Sequence, residues 1–513
     1  FRTLGTGVNI ELAGNSFVGQ NAFTDGPNGT DNGRTADQST GVGSDVNNSS
    51  DLTGTARGAI LEIKGNITES GGSRSLTKQS TDTVILSGNN TYSGGTSIAN
   101  GTLRLGSNTA MAQSGDLTTS SRGVLDMAGY NASVKHLSAV STSSTSTFAS
   151  SSGFITNSST AAAPSVLSVG TGSTADYTYG GVIQNNVAIT KEGTHKLTLT
   201  NVNTYRGNTL INAGTVALTG TATINDSPWI QVGPGSGAGL DVSGRTAPTA
   251  GSYTYDGTVS GGGVGTLKTD NTNRGIITGS LVIGDAVGEV CLIGTMSPGG
   301  SSLNTLATAG DQVGHINVTS NLTLSGAITG TSPAVSTTRL TMQANTPTTS
   351  LFDLGWDGVS NMFTFIDGLP TGTTTQQNAL NGLFGNLSGH DYVNVGGTFT
   401  VNPQGTINVT STGVPTFQGG EFFNLIDWVG LASGFGATYG TNFVVGSRFQ
   451  LGAEPLSAQD LDLPDLTSTG LQWDTSLFAT YGVVIVVPEP SRLMLVFFGI
   501  FGLFFRRRRN GSL

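Results

Sequence analysis

Four histidines, one cysteine and 32 acidic residues are the groups in this sequence that could act on a substrate. Acyl transfer would require a Ser or Cys framed by a His and a carboxylate. His136, His195, His315 and His390 are scattered, and none lies in such a frame. Glycoside hydrolysis would require two carboxylates held at a fixed separation. Asp241, Asp270 and Asp285 sit instead near Gly-rich turns, where Asp is ordinary. Gly233, Gly235 and Ala238 match the spacing of a dinucleotide-binding fingerprint, but neither a βαβ pattern before them nor a helix after them supports it. No calcium-binding nonapeptide and no zinc-ligand spacing appear. No catalytic, cofactor-binding or metal-ligating residue is assigned, no cofactor is implied, and the chain reads as a non-enzyme.

The clearest chemical signal lies at the C-terminal end, and there the chemistry is done to the chain. Val487-Pro488-Glu489-Pro490 precedes the apolar run 493–505, which is followed by Arg506, Arg507, Arg508 and Arg509. Proline fixes φ and disfavours helix in the residue before it, so the segment before the apolar run is extended and open to an enzyme. Thirteen apolar residues fall short of the roughly 20 that span a bilayer comfortably. Four consecutive arginines stop transfer and hold that end in the cytoplasm. This order resembles the PEP-CTERM sorting signal. The resemblance implies a single short transmembrane sorting helix and processing by the membrane enzyme exosortase. It further implies an inner-membrane intermediate held through 493–505, and delivery to the cell surface or extracellular matrix of a Gram-negative bacterium. The mature chain is expected to end near Val487.

The body of the chain is built on a repeat. Residues 78–107 laid on 191–220 align with no gap, and the identities fall where geometry demands them. Leu86 matches Leu199, and Asn90-Thr91-Tyr92 matches Asn203-Thr204-Tyr205. Gly94 matches Gly207, and Gly101-Thr102 matches Gly214-Thr215. Apolar residues two apart mark strands with one face inward, and the Asn/Thr/Gly clusters between them mark turns. A unit of strand, turn, short strand, turn, strand cannot bury its apolar face alone, but stacked units can. The unit resembles the passenger-associated β-strand repeat of autotransporters. That resemblance implies an all-β fold, a right-handed parallel β-helix. The tail argues against a true autotransporter, whose C-terminal end would be a closed barrel of amphipathic strands. Galacturonase-like β-helix enzymes carry an adjacent Asp pair and a Gly-His-Gly, and neither is present. His195 replaces a turn residue of the repeat, so it reads as solvated surface.

Composition agrees. The chain carries 77 Gly and only 11% charged residues, yet 36% of it is hydrophobic, which excludes disorder. Up to Val487 it holds 17 basic against 31 acidic residues, which argues against nucleic acid as a partner. Cys291 is alone, so no internal disulfide can form. The sequence begins at Phe1 without a charged-then-apolar leader, and the expectation is that a leader lies upstream.

Four regions are expected. Residues 1–75 form N-terminal coils with a polar insertion at about 24–57. Residues 76–330 form the solenoid that contains the repeats, with an exposed Ser/Thr loop at 141–152. Residues 331–487 form further coils and an aromatic cap, with 332–350 as a linker or long loop and a helical turn or two at 375–384. Residues 488–513 form the sorting tail. The resulting expectation is an exported, non-catalytic surface or matrix protein in adhesion or biofilm structure, with exopolysaccharide or neighbouring-cell glycans as partners. The alternative is a secreted carbohydrate-active β-helix enzyme, a polysaccharide lyase or glycosidase. Inward-facing carboxylates with a basic residue in one groove would favour the enzyme, and a bare Thr/Asn/Ser face the adhesin.

Overall fold

The computed structural model describes residues 2–4, 9–18, 60–112, 115–140, 153–233 and, between 238 and 488, the strands and turns named below. The polar insertion, the Ser/Thr loop, the helical turn expected at 375–384 and everything beyond Pro488 lie outside the described residues. Among the described residues the chain is all-β apart from one four-residue helix, Phe478–Tyr481. No helix there is long and apolar enough to cross a membrane.

Two units divide the chain. In the first, which holds 1–263, 272–281 and 301–306, the backbone coils through three faces in a fixed order. The first face runs through the strands Ile60–Ile63, Thr83–Leu86, Gly101–Leu105, Gly123–Asp126, Phe154–Thr156, Val182–Asn185 and Thr204–Tyr205. The second carries Ile67–Glu69 and then Ala132–Val134, Ser165–Val169, Val187–Lys191, Thr209–Ile211 and Trp229–Val232. The third carries Leu76–Lys78, Thr96–Ile98, Leu117–Ser120 and Leu137–Val140. It continues through Tyr177–Tyr179, Leu197–Leu199 and Thr215–Leu218, the first of which packs beside Leu137–Val140. All pairing in these faces is parallel: Val84 lies beside Leu103, Leu103 beside Leu125, Leu167 beside Ile189, and Leu197 beside Val216. Parallel neighbours one coil apart let each coil touch only the next, which is how a long chain avoids needing a single large core.

Alternation does the burying. In Thr83–Leu86, Val84 and Leu86 are fully inside while Thr83 and Ile85 face outward, and the same pattern recurs at Leu103 and Leu105. Six tyrosines, Tyr92, Tyr179, Tyr205, Tyr253, Tyr255 and Tyr392, are among the largest fully buried side chains. Their bulk fills the interior that short strands leave open.

The two repeat copies do not occupy the same faces. Lys78, Leu86 and Ile98 of the first lie on the third, first and third faces; Lys191, Leu199 and Ile211 of the second lie on the second, third and second. The unit is therefore a portable corner module, rotated by one face between its two occurrences.

In the second unit His315–Val318, Tyr392–Val395 and Ile426–Trp428 pair in parallel, as do Thr338–Gln343, Gly405–Thr410 and Leu461–Asp462. Residues 332–350, expected to be a linker or long loop, contain the six-residue strand Thr338–Gln343. Leu340 and Met342 alternate within it, a pattern obscured by the flanking Thr and Pro. The chain then turns antiparallel: Phe422–Asn424, Val483–Pro488, Leu471–Asp474 and Phe449–Gln450 form a four-stranded sheet. Phe417, Phe423 and Trp473 cluster against it with ring centroids 5.2–5.9 Å apart.

Candidate functional site

The repeat signature is consumed by coil-to-coil bonding. Asn90 is buried; its Oδ1 accepts from Ile67 N at 2.7 Å in the preceding coil, and its Nδ2 donates to Ala110 O at 2.6 Å in the next. Asn203 accepts from Ile183 N at 3.0 Å and donates to Asn201 O at 2.7 Å. One amide thus serves backbone groups that a turn would otherwise leave unpaired. Tyr92 and Tyr205 are fully buried, and each hydroxyl shares a 2.7 Å hydrogen bond with Thr96 or Thr209 four residues on. Burial pushes the Tyr92 hydroxyl up to about 12 and Tyr205 higher still. Thr91 and Thr204 face solvent. Leu86 and Leu199 are inside, at 0% and 1% exposure. Gly94 and Gly207 press on the backbone of Arg74 and of Val187 in the coil before, where a Cβ has no room. Gly101 and Gly214 have φ of +68° and +63°; a Cβ there would overlap the carbonyls of Ser80 and Asp82, or of Gly193 and His195. Thr102 is the second residue of Gly101–Leu105 and Thr215 the first of Thr215–Leu218.

Sequence reasoning passed over the lysines that open both copies. Lys78 and Lys191 are fully buried. Lys78 Nζ donates to Asp82 Oδ1 at 2.9 Å, to Asn100 O at 3.2 Å and to the Ser80 carbonyl. Lys191 Nζ donates to Glu192 O, Gly193 O and Ala213 O at 2.6, 2.8 and 3.2 Å. Asn100 and Ala213 occupy equivalent positions, immediately before the positive-φ glycine, so each ammonium ties one coil's corner to the next. Desolvation depresses both lysines, Lys191 to about 8. Identical placement at the start of both copies was the signal that could have found them.

The histidines are less scattered in space than in sequence. His136 Nδ1 lies 2.8 Å from Asp116 Oδ1, and His195 Nδ1 lies 3.5 Å from Asp176 Oδ1. Both pairs stand at the corner that enters the third face, and the His136 ring meets Tyr177 edge-on at 5.3 Å. This is no acid–base pair of the glycosidase kind. Asp116 and Asp176 are 55% and 60% exposed, and the Lys196 amide holds the Asp176 carboxyl below its ordinary range. A general acid needs the opposite shift. Asp241 accepts from Ser243 N and Oγ at 3.0 and 2.6 Å, a local turn. Gly233 and Ala238 flank the corner between Trp229–Val232 and Gly239–Asp241, with no helix following. Glu421 is buried beside the aromatic cap, and desolvation pushes its carboxyl to about 7, yet its Oε2 accepts from Gln418 N at 2.9 Å and closes a turn. Among the described residues no group of three His, Cys, Asp or Glu could hold a metal.

At the C-terminal end Val487 is buried and pairs with Gln472, and Pro488 ends the strand opposite Leu471. Glu489, Pro490 and Arg506 to Arg509 lie outside the described residues.

Two segments, 76–105 and 189–218, match the Passenger-associated-transport-repeat family. A 166-residue stretch is 30% identical to the adhesin BmaC autotransporter of Brucella suis biovar 1 (strain 1330). That alignment covers 31% of this chain and 4% of the relative, so the chain spans only a small part of that protein's length. No solved structure matches.

Proposed function

We propose that the chain is an exported, non-catalytic adhesin-type protein that displays solenoid faces outside the cell and acts in adhesion or in biofilm and exopolysaccharide structure. One observation carries this reading: the lysine, asparagine, tyrosine and glycines shared by the two copies are occupied inside the stack. What the repeat builds is a scaffold, and the outward positions are what it leaves to meet a partner. The partial likeness to a passenger adhesin supports the same reading. The coil is right-handed, because a strand–crossover–parallel strand connection is right-handed in almost all proteins.

The tail is a sorting signal read by exosortase, which passes the chain through an inner-membrane intermediate held at 493–505. Support comes from where the last strand stops. Val483–Pro488 completes the antiparallel cap sheet, so a cut at Glu489 or beyond would leave that sheet whole. The acidic body favours neutral polymers over nucleic acid. Mass spectrometry of protein extracted from the surface of intact host cells tests both halves. The expected species ends shortly after Pro488 and is removed by protease treatment of intact cells. An intact Leu513 as the main species would make the tail a plain anchor, and protection from external protease would defeat surface display.

A further inference from the structure

The three faces of the first unit differ in what they show to solvent. Outward positions of the first face include Ile60, Ile85, Val124, Phe154 and Val182 among polar neighbours. Those of the second include Val166 and Leu210. On the third face Phe17 and Val140 are exposed at the edges, and between them the outward strand positions are hydroxyls. Thr77, Ser97, Thr118 and Ser138 follow one another in register from coil to coil, and Thr178 and Thr198 pair likewise on the strands that pack next on this face. Thr118 Oγ1 and Ser138 Oγ lie 2.8 Å apart. Two residues before Thr118, Ser138, Thr178 and Thr198, on the same side of the strand, stand Asp116, His136, Asp176 and Lys196. Carboxylates thus share this second column with an imidazole and an ammonium, and Asp116 and Asp176 remain more than half exposed. Phe17, 46% exposed, lies in register with Thr77 at the N-terminal end of the strip.

We propose that the outer side of the third face binds an extended neutral polysaccharide laid along the coil axis. The inference rests on the adhesin reading and adds to it the face and the kind of glycan. Three observations choose the occupant. Hydroxyls interleaved with carboxylate, imidazole and ammonium groups offer donors and acceptors in the mixture a sugar's own hydroxyls require. Two carboxylates, one ammonium and one imidazole leave the column with little net charge and both signs present, so it offers no concentrated field to select a polyanion or a polycation. Successive coils repeat at about 4.8 Å, on the scale of a single sugar ring, so an extended glycan can present successive rings to successive coils, beginning on the aromatic surface of Phe17.

The test uses the purified full chain in affinity electrophoresis and calorimetry. Probes are a β-1,4-linked glucan oligosaccharide, neutral polysaccharide extracted from the host matrix, and polygalacturonate as the anionic comparator. Thr118→Val with Ser138→Ala removes two hydroxyls while preserving shape, and Asp116→Asn with His136→Gln removes one charged pair. Thr102→Val with Thr156→Val makes the same kind of change on the first face. Circular dichroism verifies that all variants keep their strands. Each lost hydroxyl is expected to weaken binding of a neutral probe about five-fold, with the first-face variant unchanged. Equal binding by all variants would overturn the face assignment while leaving glycan adhesion standing. Binding to polygalacturonate alone would overturn the neutral-polymer assignment. Failure of the unaltered chain to bind any probe or the host surface would remove the adhesin reading itself.

Discussion

The two copies of the repeat perform one task with different counter-groups. In the first, Ser80-Thr81-Asp82 follows the buried lysine, and Asp82 places a carboxylate oxygen 2.9 Å from Lys78 Nζ while itself only 6% exposed. In the second, the equivalent stretch is Gly193-Thr194-His195. There the lysine meets backbone carbonyls alone, and His195 turns outward to Asp176. The backbone frame is the same in both: the same positive-φ glycine, the same carbonyl before it, the same Asn and Tyr. What the two corners share is therefore a buried lysine nitrogen donating to converging carbonyls. The carboxylate is an addition that changes how the charge is compensated, and the comparison can be broken at several points.

The largest difference is expected from Lys78→Met against Lys191→Met. Removing Lys78 strands a buried Asp82, at a cost of about 3–5 kcal/mol. Removing Lys191 leaves carbonyls without a donor and no stranded charge, about 1–3 kcal/mol. Because each coil rests on its neighbours, the loss should appear as local unzipping, read by hydrogen exchange of the strands on either side. Equal exchange in the two variants would mean that Asp82 adds nothing.

Gly101→Ala and Gly214→Ala should hurt alike. Each forces a side chain into left-handed backbone, about 1–3 kcal/mol, and drives its Cβ into two carbonyl oxygens. Limited proteolysis should open both copies to the same degree. A tolerated change in one copy would show that its corner relaxes and that the two are not equivalent.

A smaller effect distinguishes the copies by pH. The folded Lys191 titrates near 8, below the ordinary lysine value of about 10.4 that the unfolded chain keeps. Between those values the unfolded chain binds a proton that the folded chain does not, so stability rises with pH in that window and is lost as pH falls through 8. The urea midpoint should increase from pH 8 to pH 9.5 for the unaltered chain and increase less for Lys191→Met, in which only Lys78 still contributes. A flat profile for both would show that the lysine is not desolvated. Above pH 10 the trend should reverse, since Tyr92, Tyr177, Tyr179 and Tyr205 are all raised by burial and unfolding lets them ionise.

The smallest and sharpest test is His195→Asp, which copies the first corner into the second. Net stability should move by less than about 1 kcal/mol, because a new buried pair gains attraction and pays desolvation together. The rise between pH 8 and 9.5 should shrink as the carboxylate raises the Lys191 titration. An unchanged rise would mean that a side chain at position 195 cannot reach the ammonium.

Several features were legible in the residues alone. Period-two spacing at Val84/Leu86 and Leu103/Leu105 already requires strands with one buried side, and two gap-free copies already require stacked units. Turn chemistry placed the corners at Asn100-Gly101 and Ala213-Gly214, because only a residue without a Cβ fits there. Other features needed the fold. Nothing local in the sequence says that the second copy is rotated by one face, since the number of residues per coil depends on loops inserted between strands. Lys78 and Lys191 looked like ordinary charged positions until the corner folded two carbonyls and a carboxylate around the first and three carbonyls around the second. Asp116, His136, Asp176 and His195 are far apart along the chain and adjacent only because coils stack in register. A sequence of this kind determines its strands and corners through local sterics and alternation, which act over a few residues. Which side chains share a face is decided by coil closure, a property of the whole stack and of no single segment.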